Sequence, residues 1–332
     1  MQNQSIDVEP AACIAEPSTR AAESPACIAE PSTRAAESPA CIAEPSTRAA
    51  ESSACIAEPA SAVASPADGP RVRLLWLGVD NLAFGEAASA VVGMCRDGRP
   101  AYAVTPNVDH FVRTRTDTKL RAIYEHAGLV LADGMPVVWA ARLLGRPLRA
   151  KVSGSDLLYE LCGRAAAEGL RVFLLGGAPG VAEKAAEALR SRYAGLRIVG
   201  THSPAIGADG TGTSDDAVAR MVREARPHMV FVAFGSPKQE LWMARNYRRL
   251  GAAVCIGVGA SFDFAAGTQA RAPRWMQRAG FEWLWRLLRE PRRLWRRYLV
   301  DDLPFLWYVA REWLRPNRCR ANQPQRTAEA TS

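Results

Sequence analysis

The chain has 332 residues, 48% hydrophobic and 23% charged, with a formal net charge of +8. This is ordinary globular composition, and it excludes collagen-like, mucin-like and wholly disordered chains. The charge is unevenly placed: residues 1–70 hold ten acidic groups against three Arg, whereas residues 271–318 hold twelve Arg against five acids. Such asymmetry concerns partners more than fold.

Residues 1–70 form a repeat region. Cys13, Cys27, Cys41 and Cys55 recur every 14 residues in CIAEPSTRAAESPA, and the last copy decays into CIAEPASAVASPA. Each unit offers little apolar area beyond Cys and Ile, too little to offset the entropy of ordering, so the region is expected to be disordered. A translation start further in, for example at Val63, is the alternative. With no His and no CxxC pair among them, the thiols give a weak metal or redox signal. The segment lacks the basic start and apolar core of a secretory signal. No later stretch reaches the ~18 uncharged apolar residues of a membrane span. Cys95, Cys162, Cys255 and Cys319 show no paired spacing and read as reduced thiols of a cytoplasmic protein.

From residue 71 the pattern alternates. Val72–Val79 (VRLLWLGV) reads as one buried strand. A helix at about Gly85–Arg96, strand Ala101–Val104, a helix near Thr116–His126 and strand Leu129–Ala132 follow. Met135–Leu144 and Ser155–Glu168 read as helices, the latter with Asp156 near its start. Then come strand Arg171–Leu175, helix Val181–Tyr193, strand Leu196–Val199, helix Asp215–Ala225, strand Met229–Phe234, helix Lys238–Leu250 and strand Ala253–Val258. Alternating β and α elements predict a Rossmann-like parallel sheet with helices on both faces, an α/β core over 71–270. Residues 319–332 read as a disordered end.

Ligands in such folds bind beyond the carboxyl ends of the strands. Thr105-Pro106-Asn107-Val108-Asp109-His110 follows the second expected strand and Asp133-Gly134 the third. Gly176-Gly177 and Gly235-Ser236-Pro237-Lys238-Gln239-Glu240 follow two later ones. Glycines allow close backbone approach to a ligand, and helix N-termini supply N–H groups for phosphate. Each feature also has a plainer reading: Asp133-Gly134 as a turn, Asn107 and Asp109 as helix caps, GGAPG as a tight turn. The four His show no metal-ligand spacing, and no DxD pair, GxSxG or Walker A run occurs at a strand end. The residues alone point to a phosphate- or nucleotide-binding α/β enzyme with Asp133 as its reactive carboxylate.

Six ordered motifs then carry a resemblance: TPNVDH (105–110), ADGMPVVWAARLLG (132–145), VSGSDLL (152–158), LLGGAPGVAEKAA (174–186), VAFGSPKQELWM (232–243) and GVGASFDFAAGTQARAPRWMQRAGFEWLWRLLREPRRLWRRYL (257–299). Together they resemble the WecG/TagA/CpsF family, glycosyltransferase family 26, over about residues 72–300. The resemblance implies an inverting hexosyltransferase that takes a sugar, of N-acetylmannosamine type or glucose, from a UDP-sugar donor. The acceptor it implies is a polyprenyl-diphosphate-linked sugar, and the product feeds cell-surface polysaccharide.

It further implies Asp133 as general base, which an ordinary Asp pKa of ~3.9 would leave ionised at neutral pH. Thr105 and Gln239 join it as catalytic candidates. Asn107, Gly134, Gly154, Asp156, Gly176, Gly177, Gly235, Lys238 and Glu240 are implied substrate contacts. The family is taken to be metal-independent, so no cofactor and no metal site is expected. The stretch 201–216 (THSPAIGADGTGTSDD) departs from the family's aromatic segment, which puts its contacts in question.

Residues 271–318 contain six of the nine Trp and twelve Arg without Lys. Phe281, Leu284, Leu288, Trp295 and Tyr298 recur near helical spacing, and Pro291 opens a second helix. Trp and Arg on amphipathic helices describe a segment lying among lipid headgroups, hence a peripheral attachment to the inner face of the cell membrane. The resemblance points to Arg271, Arg274 and Arg278 as lipid-diphosphate contacts. The plainer alternative is a solvated helix packed on the core by its Trp residues. Nucleic acid is not an expected partner, since no recognised binding fold accompanies the charge. Competing functions are a nucleotide-sugar oxidoreductase or epimerase, whose Tyr-x-x-x-Lys pair is missing, and a non-catalytic membrane-associated binder. Oligomeric state is left open by the sequence.

Overall fold

A computed structural model describes residues 71–315, apart from residues 213, 252 and 253 and the side chains of Arg278 and Arg293. The repeats of 1–70, residues 316–332 including Cys319, and the expectations attached to them lie outside the described residues.

The run expected as a single strand is a hairpin. β1 (Val72–Leu74) and β2 (Leu77–Val79) pair antiparallel around Leu75-Trp76, with Leu75 at φ 55°. Apolar residues alone do not tell one long strand from two short ones. Trp76 turns its indole N–H to the Thr114 hydroxyl (3.0 Å) and packs edge-on against Tyr308 (5.1 Å), which places the turn at that point. The chain then leaves β2 at Asp80. This residue donates its N–H to the Val130 carbonyl (2.8 Å) and accepts the Val130 N–H on its carboxylate (2.7 Å). The hairpin so covers an edge that would otherwise offer free backbone groups.

Six further strands form one parallel sheet: β3 (Ala101–Val104), β4 (Leu129–Val130), β5 (Arg171–Gly176), β6 (Arg197–His202), β7 (Met229–Ala233) and β8 (Val254–Gly257), in the order β4-β3-β8-β7-β5-β6. Alternate residues serve the two faces. Val172 and Leu174 of β5 enter the core on one face, and Phe173 and Leu175 enter the core on the other. Both faces are covered, so every residue of β3, β7 and β8 is buried.

The helices take turns on the two faces. α1 (Phe84–Asp97) packs on the first; α2 (Val108–Thr116), α3 (Thr118–Glu125) and α4 (Met135–Leu143) pack on the second. α5 (Gly154–Glu168) and α6 (Val181–Arg192) return to the first face, and α7 (Asp215–Ala225) and α8 (Lys238–Asn246) to the second. The expected helix near 116–126 is thus two helices. Asp117 separates them, its carboxylate accepting the Leu120 N–H (2.8 Å) as the N-cap of α3. α8 ends four residues before the expected Leu250 and passes into a 3-10 turn. Cys95, Cys162 and Cys255 are free, buried thiols, each pushed up to about 12 by burial.

After β8 come α9 (Ser261–Ala265), α10 (Arg274–Ala279), α11 (Glu282–Arg289), α12 (Pro291–Arg296), a π-turn at Arg297–Asp301 and α13 (Leu303–Trp313). Pro291 stands at the first position of α12, as its fixed φ favours. α13 anchors this tail: Phe305 and Val309 are buried in the second core, with Phe305 packed on Phe111 of α2 at 5.7 Å. Among the described residues no helix is long and apolar enough to cross a membrane.

Candidate active site

A cavity of about 1070 Å³ opens at the carboxyl ends of the strands. Thr105 and Asn107 reach it after β3, Asp133 and Gly134 after β4, Gly177 after β5, and Gly235, Lys238 and Gln239 after β7. Gly154 contributes the first turn of α5. A Cβ on Gly154 would stand 3.1 Å from the Gly257 carbonyl oxygen, so glycine lets α5 approach the end of β8. The tail adds a further wall through Glu282, Trp283, Arg286, Arg297, Tyr298 and Asp302.

Asp133 is held by its backbone, whose N–H donates to the Pro106 carbonyl (3.0 Å). Burial raises its carboxyl to about 7; Lys151 and Arg286 pull it down, and Glu282 and Asp156 push it up. The expectation of an ordinary carboxylate is therefore corrected. The side chain faces a cavity walled by protein, and the water lost there disfavours the charged form.

Gln239 is fixed at both ends of its amide. Its Nε2 donates to Glu240 Oε1 (2.8 Å), and its Oε1 accepts the Gly259 N–H (3.0 Å). Glu240 itself does not line the cavity: it is fully buried behind Gln239, its carboxyl raised by burial. Thr105 reaches the Gly257 carbonyl (3.4 Å), and Lys238 Nζ donates to the Ile206 carbonyl (3.1 Å). Asn107 occupies the N-cap position of α2 without making a side-chain cap, and its Oδ1 accepts from Arg297 Nη2 (3.5 Å). Asp109 is no cap either; it pairs with Arg113 (2.8 Å) and Arg297 (3.3 Å).

Other expected contacts lie elsewhere. Gly176, at φ 110°, packs where a Cβ would stand 2.8 Å from the Ala233 backbone, so it serves strand packing behind the cavity. Asp156 lines a separate shallow hollow on α5. Burial works to raise its carboxyl, but the hydrogen bond from Ser153 (2.6 Å) and the charges of Arg271 and Lys151 hold it below the usual range. Arg271 is taken up by Asp156 (2.6 Å) and Glu282 (3.5 Å), and Arg274 is exposed on α10; neither lines the cavity. The side chain of Arg278 lies outside the described residues.

The arginines in the cavity are instead Arg286 and Arg297, which join Lys238 there and whose Nε atoms are buried with no hydrogen-bond partner among the described residues. Their sequence signal was hidden in a tail where every Arg looked equally fit for headgroups. Lys151 was also missed, although Lys is rare in this Arg-rich chain; it pairs with Glu282 (3.3 Å) beside Asp133. His110 is a buried wall residue, its Nδ1 3.0 Å from the Tyr124 hydroxyl, and burial lowers it to about 4, so it is neutral at pH 7. From the divergent stretch 201–216, Pro204 and Ile206 do reach the cavity. Among the described residues no three His, Cys, Asp or Glu gather as a metal site.

Comparison with known proteins agrees with this arrangement. The profile of the Glycosyl transferase WecG/TagA/CpsF family matches residues 72–319. An N-acetylglucosaminyldiphosphoundecaprenol N-acetyl-beta-D-mannosaminyltransferase of Bacillus spizizenii is 34% identical over 199 residues, 60% of this chain and 75% of that protein. Proteins of the same name from Bacillus subtilis and Staphylococcus aureus are 37% and 29% identical, over 53% and 62% of this chain and 66% and 78% of their own lengths. The parallel α/β core, the polar strand ends around one cavity and the match over the described residues lead to one conclusion: the chain belongs to the WecG/TagA/CpsF glycosyl transferase family and is a hexosyltransferase.

Proposed function

We propose that the enzyme moves an N-acetylmannosaminyl group, with inversion, from a UDP-sugar to an N-acetylglucosaminyl-diphospho-polyprenol in cell-surface polysaccharide synthesis. The observation that carries this reading is the presence, within one cavity, of the Asp133 carboxyl together with the guanidinium groups of Arg286 and Arg297, each with a buried Nε that has no hydrogen-bond partner among the described residues. The substrates are those in the names of the relatives from Bacillus and Staphylococcus, with UDP taken as the carrier.

In this mechanism the acceptor hydroxyl attacks the anomeric carbon from the face opposite UDP. Asp133 takes the hydroxyl proton as the new C–O bond forms, and UDP leaves with the electrons of the bond that breaks. A base with a pKa near the working pH combines availability with driving force, and contributes about 10²–10⁴ in rate. Asp133, at about 7, meets that condition. Arg286, Arg297 and Lys238 neutralise diphosphate charge, so the reading requires no metal. Gln239, with one amide hydrogen engaged by Glu240, keeps a second for substrate, and Thr105 and Asn107 position the sugar.

We further propose peripheral attachment to the inner face of the cytoplasmic membrane. Trp275, Trp295, Trp307 and Trp313 are exposed on a tail rich in Arg. Each basic group near an anionic surface adds about 1 kcal/mol, so several suffice for reversible binding.

The test is a panel of UDP-sugars assayed against a short-chain N-acetylglucosaminyl-diphospho-lipid. Product from UDP-N-acetylmannosamine is expected. Product from UDP-glucose alone would reassign the donor, and no product from any UDP-sugar would refute the reading.

A further inference from the structure

The cavity has an apolar lip that the chemistry of sugar transfer does not use. Leu299, Leu303 and Leu306 line the cavity, yet each is more than half exposed, at 52%, 52% and 62%. Leu299 follows Arg297 by two residues within the same turn, so the lip begins beside a guanidinium that also lines the cavity. Beyond Leu306, the outward face of α13 continues through Trp307 and Ala310 to Leu314 at its C-cap, all exposed. Residues three, four and seven apart share a helix face, so these side chains make one stripe, while Phe305 and Val309 hold the opposite face in the core.

Resting on the function proposed above, we infer that this stripe seats the polyprenyl chain of the acceptor. The order of side chains fits an amphiphile held from head to tail. In this reading Asp133 and Gln239, the less exposed residues, take the reacting sugar, Arg286 and Arg297 take the diphosphate, and the exposed Leu299, Leu303 and Leu306 take the first isoprene units as they leave the cavity. From Leu303 to Leu314 a rise of 1.5 Å per residue gives about 16 Å, on the order of three or four isoprene units. A surface made only for contact with a bilayer would not need to carry its leucines into the cavity mouth. The occupant is therefore the substrate's own chain, bound by the protein before any bilayer is involved.

The experiment measures dissociation constants of the full chain for N-acetylglucosamine diphosphate esters bearing methyl, diprenyl and tetraprenyl groups. It is run below their micelle-forming concentrations, without detergent or vesicles. Affinity is expected to rise at least about tenfold from the methyl to the tetraprenyl ester, as burial of several CH₂ groups demands. In Leu306→Asn/Leu314→Asn, both side chains being exposed, that ratio should collapse to under about threefold, the lost apolar burial removing most of the gain. An equal ratio in wild type and variant overturns the inference. So does a ratio near one in wild type that becomes large only when vesicles are added, since the occupant would then be the bilayer. Binding of the methyl ester without any chain-length effect overturns the track alone; no binding of any ester overturns the proposed acceptor as well.

Discussion

Trp242 and Trp307 show how differently the two halves of this enzyme use the same side chain. Trp242, on α8, is fully buried and spends its indole N–H on Asp215 (2.8 Å). Trp307, on α13, is 57% exposed, with the Arg311 guanidinium over its ring at 5.3 Å. The contrast is general. In the sheet, alternate residues face two cores and every residue of β3, β7 and β8 is buried; in the tail, one face of α13 joins the core while the other meets solvent. A sheet covered on both sides has one way to satisfy its pattern. A helix with two apolar faces is shared between the core and something outside it.

The largest effect that would test this division is removal of the tail after residue 270. It should abolish transfer to lipid acceptors, because Arg286 and Arg297 leave the cavity, and should lower Tm. Loss of a buried Phe such as Phe305 alone costs about 3–5 kcal/mol. Retained transfer in a truncated enzyme would mean that the sheet alone makes the site. A narrower change, Arg286→Ala, is expected to reduce kcat/KM about a hundredfold with little change in Tm, as for a lost charge-assisted bond to phosphate. An unchanged kcat/KM would remove Arg286 from the diphosphate site.

The acidity of Asp133 gives an effect of intermediate size. Its carboxyl is raised to about 7, and only the ionised form is a base, so kcat/KM should climb with pH through about 7 and then level off. Stability runs the other way. The folded value lies above the unfolded ~3.9, so the folded state is favoured fully below that value and loses the advantage as pH rises through 7. Asp133→Asn should accordingly raise Tm relative to wild type at pH 8 and not at pH 4. A rate profile flat between pH 5 and 8 would contradict the shift. The smallest effect concerns the surface: Trp275→Ala/Trp295→Ala should weaken binding to anionic liposomes several-fold while shifting stability by no more than about 1 kcal/mol, both side chains being exposed.

Much of the sheet was legible because its signals are local. β3 and α7 stand at the expected residues, since a short apolar run between turn signals and a 3.6-residue pattern each speak for themselves. The hairpin of β1 and β2 was not legible, because its turn depends on partners of Trp76 that lie far along the chain at Thr114 and Tyr308. α2 was missed because TPNVDH, polar and next to a strand, reads as a loop until Phe111 is seen buried beneath Phe305.

The site divided in the same way. Asp133, Thr105, Asn107 and Gln239 follow strands and could be placed on the cavity from chain order. The selection of Arg286 and Arg297 over Arg271 and Arg274 could not. It depends on where the folded tail puts each guanidinium: Arg286 and Arg297 line the cavity, Arg297 even while paired with Asp109, whereas Arg271 sits between Asp156 and Glu282 outside it and Arg274 is exposed on α10.

In the proposed mechanism Asp133 is the base of a cavity built jointly by sheet and tail. Single-turnover transfer by Asp133→Asn, measured beside UDP binding by the same protein, tests it most directly. The expected result is a rate lowered by about 10²–10⁴ with UDP affinity nearly unchanged. Transfer at the wild-type rate by a folded, UDP-binding Asp133→Asn enzyme would contradict it.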